Sequence, residues 1–163
     1  MRFHAEHRFS GSEQAVAALL TDPTFYLDLA LPDLSRPEVL EHGEHGDDTV
    51  LRLRYKFVGS IDPIARRLIG AGHLVWIQEI RVDRSAGTGT FTFEAERDPR
   101  RLHGAADFAL TAADGDTLRR FDGELIVAVP GIGRMAERRI VPGLLRRLDI
   151  ESQALDEQLQ REE

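Results

Sequence analysis

TLRRFDGELIVAVPGIGRMAERRIVPGLLRRLDIESQALDEQLQREE, residues 117–163, changes its hydrophobic period once, and that change decides the fold. From Thr117 to Val129 the pattern is that of a strand, with Arg119, Phe121 and Leu125 on one face. From Gly131 onward Ile132, Ala136, Ile140, Leu144, Leu148, Leu155 and Leu159 recur at helical spacing, so a long amphipathic helix closes the chain. Pro142 lacks an amide hydrogen and its ring crowds the preceding turn, which predicts a kink or break near Val141. The stretch Gly143 to Leu159 is expected to pack on a sheet with Leu144, Leu148 and Leu155 inward.

Upstream the strand period persists. Segments His73 to Val82, Gly89 to Ala95 and Leu102 to Ala112 are separated by Ser85-Ala86-Gly87, Asp98-Pro99 and Ala113-Asp114-Gly115-Asp116, which predicts an antiparallel meander. Before it, Val39 to His42 and Thr49 to Val58 flank a turn-rich Gly43-to-Asp48 segment and read as a hairpin, with Leu51, Leu53, Tyr55 and Phe57 sharing one face. Asp62-Pro63 then opens a short amphipathic helix through Ile64, Ala65, Leu68 and Ile69 that ends at Gly70-Ala71-Gly72. At the chain start Phe3, Ala5, His7 and Phe9 alternate with polar residues, a first strand. Ser10 and Glu13 read as a capping box ahead of Val16, Leu19 and Leu20. Asp22-Pro23 starts a second short helix carrying Phe25, Tyr26 and Leu29 until Pro32.

Composition narrows the function classes. The 163 residues suit one domain, taken as 1–163, with 42% hydrophobic and 30% charged residues, the profile of a globular protein. A net charge of −7 argues against duplex nucleic acid as a partner, because affinity there comes from neutralising phosphates. There is no cysteine, which excludes disulfide scaffolds, Cys-based zinc sites and thiol catalysis. No window approaches the roughly 18 apolar residues of a membrane span, and the start lacks the apolar run of a signal peptide, so a cytoplasmic location is expected. Gly-x-Ser-x-Gly, Walker and dinucleotide fingerprints are missing, and Gly131-Ile132-Gly133 lacks the third glycine of the last. No cofactor is implied.

The order strand, two short helices, hairpin, meander and long terminal helix resembles the helix-grip arrangement of the START-like superfamily, which includes the Bet v 1 allergens and the polyketide cyclases. Thr21-Asp22-Pro23 and the passage Val127-Ala128-Val129-Pro130-Gly131-Ile132-Gly133 are similar too, and the chain looks most like an uncharacterised bacterial branch of that superfamily. The resemblance covers essentially the whole chain. It implies an α+β fold in which a bent antiparallel sheet wraps around the terminal helix, with short helices after the first strand and within the sheet. It also implies an apolar cavity between sheet and helix, whose partner is a hydrophobic small molecule such as a lipid or polyketide-like compound.

The residues point the same way. Gly104 and Ala106 share a face with Phe108 and Leu110, and such small side chains leave volume beneath a helix. From the other strands Leu53, Tyr55, Phe57, Trp76, Phe91, Phe93, Phe121 and Leu125 are expected in the wall, and Met135 and Leu144 from the helix. Arg119 either snorkels to solvent or, turned inward, anchors a ligand carboxylate. His7, on the apolar face of its strand, is either a hydrogen-bonded core imidazole or a polar handle in the cavity. His42-Gly43-Glu44-His45-Gly46-Asp47-Asp48 is rich in metal ligands but lacks zinc-site spacing and reads as a solvated turn. Arg138-Arg139 and Arg146-Arg147, beside Glu137, Asp149 and Glu151, read as a mixed solvated helix face. Three functions remain open: a carrier, a cyclase or aromatase using Tyr55, His7 or Arg119, and a partner-binding domain with a filled core.

Overall fold

The computed structural model describes residues 1–70 and 72–162. Its strands are β1 (Arg2–Phe9), β2 (Glu38–His45), β3 (Asp48–Lys56), β4 (Val75–Asp83), β5 (Thr88–Ala95), β6 (Leu102–Ala113) and β7 (Asp116–Val127). Helices α1 (Glu13–Leu20) and α2 (Pro23–Asp28) follow β1, α3 (Pro63–Ile69) lies between β3 and β4, and α4 (Gly133–Glu162) ends the chain. All strands join one antiparallel sheet in the order β1-β7-β6-β5-β4-β3-β2, so the first strand pairs with the last and every other neighbour is sequential. The register His7↔Arg119 and Phe3↔Gly123 fixes which side chains β1 and β7 turn to the same face.

Helix α4 packs across β1 and β7, and α1 packs against α4. Leu144, Leu148 and Leu155 are all buried, as their spacing predicts, and join a core with Phe9, Phe121 and Leu125. At the turn into α4 the Val127 carbonyl lies where a side chain on Gly133 would sit, 2.3 Å from an added Cβ, so this close approach requires glycine. Glu137 ties the same corner together, accepting from the Val127 amide at 3.1 Å and from the N-terminal amine at 3.2 Å.

Three local expectations are corrected, and a fourth lies partly outside the described residues. Ser12 caps α1 by accepting from the Ala15 amide, whereas Ser10 binds α4, its own amide donating to Asp156 at 2.6 Å. The first hairpin is tighter than its composition suggests: β2 continues through Gly43, Glu44 and His45, leaving only Gly46 and Asp47 as the turn, with Gly46 at φ +65°. Helix α4 is a single run of 30 residues with Pro142 inside it, so of the kink or break expected near Val141 the break does not occur. Proline frees only the Arg138 carbonyl, and Arg138 is exposed, so water can take the missing bond. Asp62 caps α3 as expected, but Ala71, within its expected glycine stop, lies outside the described residues.

Candidate functional site

Between β3 and β4 the chain leaves the sheet to make α3, and a cavity of about 570 Å³ opens beneath this excursion. Phe57, Trp76 and Phe93 supply its sheet wall, Ile64 and Leu68 the α3 wall, and Ile140 and Leu144 the α4 wall. The segment after α2 closes another side: Leu34 bridges to Phe57, and the Val58 amide donates to the Asp33 carbonyl at 2.8 Å. Asp62 holds α3 in two ways. Its carboxylate accepts from the Ile64 and Ala65 amides, at 2.9 and 2.8 Å, and pairs with Arg139 of α4 at 3.0 Å.

The polar feature of the wall is Arg147. Its guanidinium lies 4.6 Å from the Tyr55 ring centroid and 5.7 Å from that of Trp76, two rings that are themselves stacked. Its Nη2 donates to Gln78 Oε1, and its buried Nε has no partner. The Tyr55 hydroxyl behind it is also unpartnered, and burial pushes that group up to about 12 against the opposing pull of Arg147.

A second arginine lies elsewhere in the interior. Arg119, 1% exposed, points inward from β7, donates to Ser152 Oγ at 2.7 Å, lies 3.7 Å from Glu151 and packs over the Phe121 ring at 4.5 Å. Ser152 passes its own hydrogen to the Leu148 carbonyl at 2.6 Å. His7 completes the group, with Nδ1 at 3.3 Å from Arg119 and Nε2 at 3.0 Å from Asp149. Burial, then the Arg119 charge, hold His7 below its ordinary pKa, although Asp149 opposes them.

The structure therefore divides the expected wall residues. Phe57, Trp76, Phe93, Leu125 and Leu144 line the cavity. Leu53, Phe91, Ala106, Phe108, Leu110 and Phe121 are buried in packed core instead, and Tyr55 stands behind Trp76. Gly104 leaves no space, because the Phe93 ring fills it: a Cβ there would meet the ring at 2.2 Å. Met135 is 49% exposed and belongs to neither group. Arg119 reaches neither solvent nor cavity, since Glu151 and Ser152 hold it in the core. His7 is a hydrogen-bonded core imidazole. The helix face read as solvated is corrected at two positions: Glu151 is 2% exposed and Arg147 enters the cavity wall. Both fall on the Leu144, Leu148 and Leu155 stripe, and a charge at a stripe position was the signal that could have found them. Among the described residues no group of three or more His, Asp or Glu could hold a metal, and no helix is long and apolar enough to cross a membrane.

Comparison with known proteins adds a family and a fold. A family model described as a protein of unknown function, DUF2505, matches residues 4–159. No curated protein matches the chain. Among solved structures, the TTHA0849 protein of Thermus thermophilus is similar at TM-score 0.66 and 14% identity, over 99% of this chain and 98% of that one. The Zhui aromatase/cyclase of Streptomyces sp. R1128 is similar at TM-score 0.64 and 16% identity, over 99% of this chain and 95% of that one. A START superfamily protein of Mycobacterium smegmatis is similar at TM-score 0.61 and 15% identity, over 97% of this chain and 98% of that one. At such identities the likeness shows the fold, which is the START-like helix-grip.

Proposed function

The chain belongs to the DUF2505 family, and from that premise and the cavity we propose that it binds a hydrophobic small molecule between the sheet, α3 and α4. The observation that carries this reading is the cavity itself: about 570 Å³, walled by Phe57, Trp76, Phe93, Leu68 and Leu144, inside the range of sites that enclose small ligands. A filled-core domain would not keep such a space, because interiors otherwise close to the density of organic crystals. The START superfamily and aromatase/cyclase neighbours are consistent with a lipid or a polyketide-like compound.

A cyclase reading gains nothing from Tyr55, Arg119 or His7. Tyr55 is buried behind Trp76, and Arg119 and His7 are engaged with one another in the core. Binding without turnover is the function this geometry supports best.

Trp76 is the only tryptophan and lines the cavity, so it reports on occupancy. Native mass spectrometry of the purified chain should show a bound small molecule. Failing that, phenylnaphthylamine, a neutral fluorescent probe, should quench Trp76 saturably. The absence of both a bound species and saturable quenching would overturn the proposal.

A further inference from the structure

Among the described residues, two arginines turned into the grip, Arg119 and Arg147, share one buried carboxylate, Glu151. Glu151, one turn along α4 from Arg147, is held 3.7 Å from Arg119 Nη1. No carboxylate oxygen among the described residues lies within 4.0 Å of Arg147. The carboxylates near the cavity do not serve it either. Asp62 is taken by Arg139, Asp33 is exposed at the rim, and Glu94 alternates onto the sheet face opposite Phe93. Tyr55 stays neutral, since its pKa is about 12, and Gln78 carries no charge. A guanidinium cannot shed its proton to relieve this, so the half-buried part of the cavity wall carries one uncompensated positive charge, while Arg146, also in the lining, stands exposed to water at the rim.

That charge is also pre-positioned. The rings of Tyr55 and Trp76 lie against the guanidinium and Gln78 holds Nη2, so little side-chain freedom remains to be lost when a partner arrives. Around it the cavity is apolar, and about 570 Å³ holds roughly twenty non-hydrogen atoms at about 30 Å³ each.

We infer that the ligand is a monoanionic amphiphile, a carboxylic acid with an apolar body, whose carboxylate pairs with Arg147 while the body fills the space between Trp76, Phe93, Leu68 and Leu144. The inference rests on the cavity being a binding site, as proposed above. A single guanidinium balances one charge, which favours a carboxylate over a phosphate ester carrying nearly two. The planar fork also matches carboxylate geometry.

The test is titration of the full-length protein, followed by Trp76 fluorescence and calorimetry, with dodecanoic acid, dodecanol and dodecyl phosphate at pH 8. Dodecanoic acid should bind about tenfold or more tightly than dodecanol, the scale of one charge-assisted contact. In Arg147→Met the ratio of acid to alcohol affinity, read within the variant by calorimetry, should fall from about tenfold to about one. Arg147→Lys, which keeps the charge, should retain a reduced preference for the acid. Equal binding of acid and alcohol by wild type would overturn the assignment and leave the cavity a binding site. A preference that survives in Arg147→Met would remove Arg147 from it, and tighter binding of dodecyl phosphate would overturn the carboxylate. Binding of none of the three would overturn the cavity proposal and this inference together.

Discussion

Arg119 and Arg147 place two guanidiniums inside the same sheet-and-helix grip, in surroundings that differ in two respects. Around Arg119, where β1, β7 and α4 meet, the chain supplies its own counter-charge and fills the remaining space with Phe9 and Phe121. Around Arg147, where β3 and β4 part for α3, the aromatic cover is repeated by Tyr55 and Trp76, but no carboxylate and no filling side chains complete it. The first arrangement is a filled, charge-paired core, although Arg119 Nε and Glu151 Oε2 have no hydrogen-bond partner in it. The second is the same arrangement with its anion and its apolar partner left out, which is what a protein built to receive both would present.

The largest expected effect breaks the filled half. Glu151→Ala strands Arg119 in the core without its counter-charge, and should cost about 3 to 5 kcal/mol in urea denaturation. Arg147→Met, measured the same way, should cost less, about 1 to 2 kcal/mol, from the lost stacking on the rings and the Gln78 Oε1 left without its donor. Equal losses from the two substitutions would make Arg147 a structural strut and erase the contrast.

A second pair compares volume. Ala106, 3% exposed, lies between strands already packed with Phe91 and Phe108, so Ala106→Leu should overpack the core and cost about 1 to 3 kcal/mol. Ala65 lines the cavity from α3, and Ala65→Leu adds the same atoms to empty space. Its thermal stability should stay within about 0.5 kcal/mol of wild type, while Trp76 quenching by phenylnaphthylamine weakens. A large stability loss from Ala65→Leu would mean that the space is not open at that point.

This pair also shows where the sequence is legible and where it is not. The succession of strands and helices along the chain, the two Asp-Pro helix starts and the inward stripe of α4 follow from period and local capping, which a chain carries in neighbouring residues. The cavity does not. Gly104 reads as a gap only until the Phe93 ring, from the neighbouring strand, is seen to occupy it. The actual space depends on how far α3 carries the chain from the sheet, a matter of tertiary placement that no local pattern encodes. Arg147 and Glu151 were hidden for a different reason. Each has exposed charged neighbours, and the doublet Arg146-Arg147 looks like surface until helical phase separates its two members.

The smallest effect concerns two helix starts built alike. Asp22 and Asp62 each cap a short helix with proline at the first position. Helix α2 is fixed in the core through Phe25 and through Tyr26, whose hydroxyl donates to the Leu20 carbonyl at 3.0 Å. Asp22→Ala should therefore lower global stability by about 1 kcal/mol, the ordinary cost of losing a cap. Helix α3 rests on α4 over the cavity, so its opening need not unfold the rest. Asp62→Ala should leave the global transition nearly unmoved and speed hydrogen exchange of the α3 amides several-fold, the scale of a lost cap. The effect carries a pH signature. The Ala65 amide foremost, with Arg139 adding to it, holds the Asp62 carboxyl below its ordinary value of 3.8, so its stabilisation is complete above that value and is lost as pH falls through the lowered one. Exchange in wild type and Asp62→Ala should thus differ at neutral pH and converge in acid. Should Asp62→Ala shift the global melt as far as Asp22→Ala does, α3 is an integral part of the core and does not open by itself.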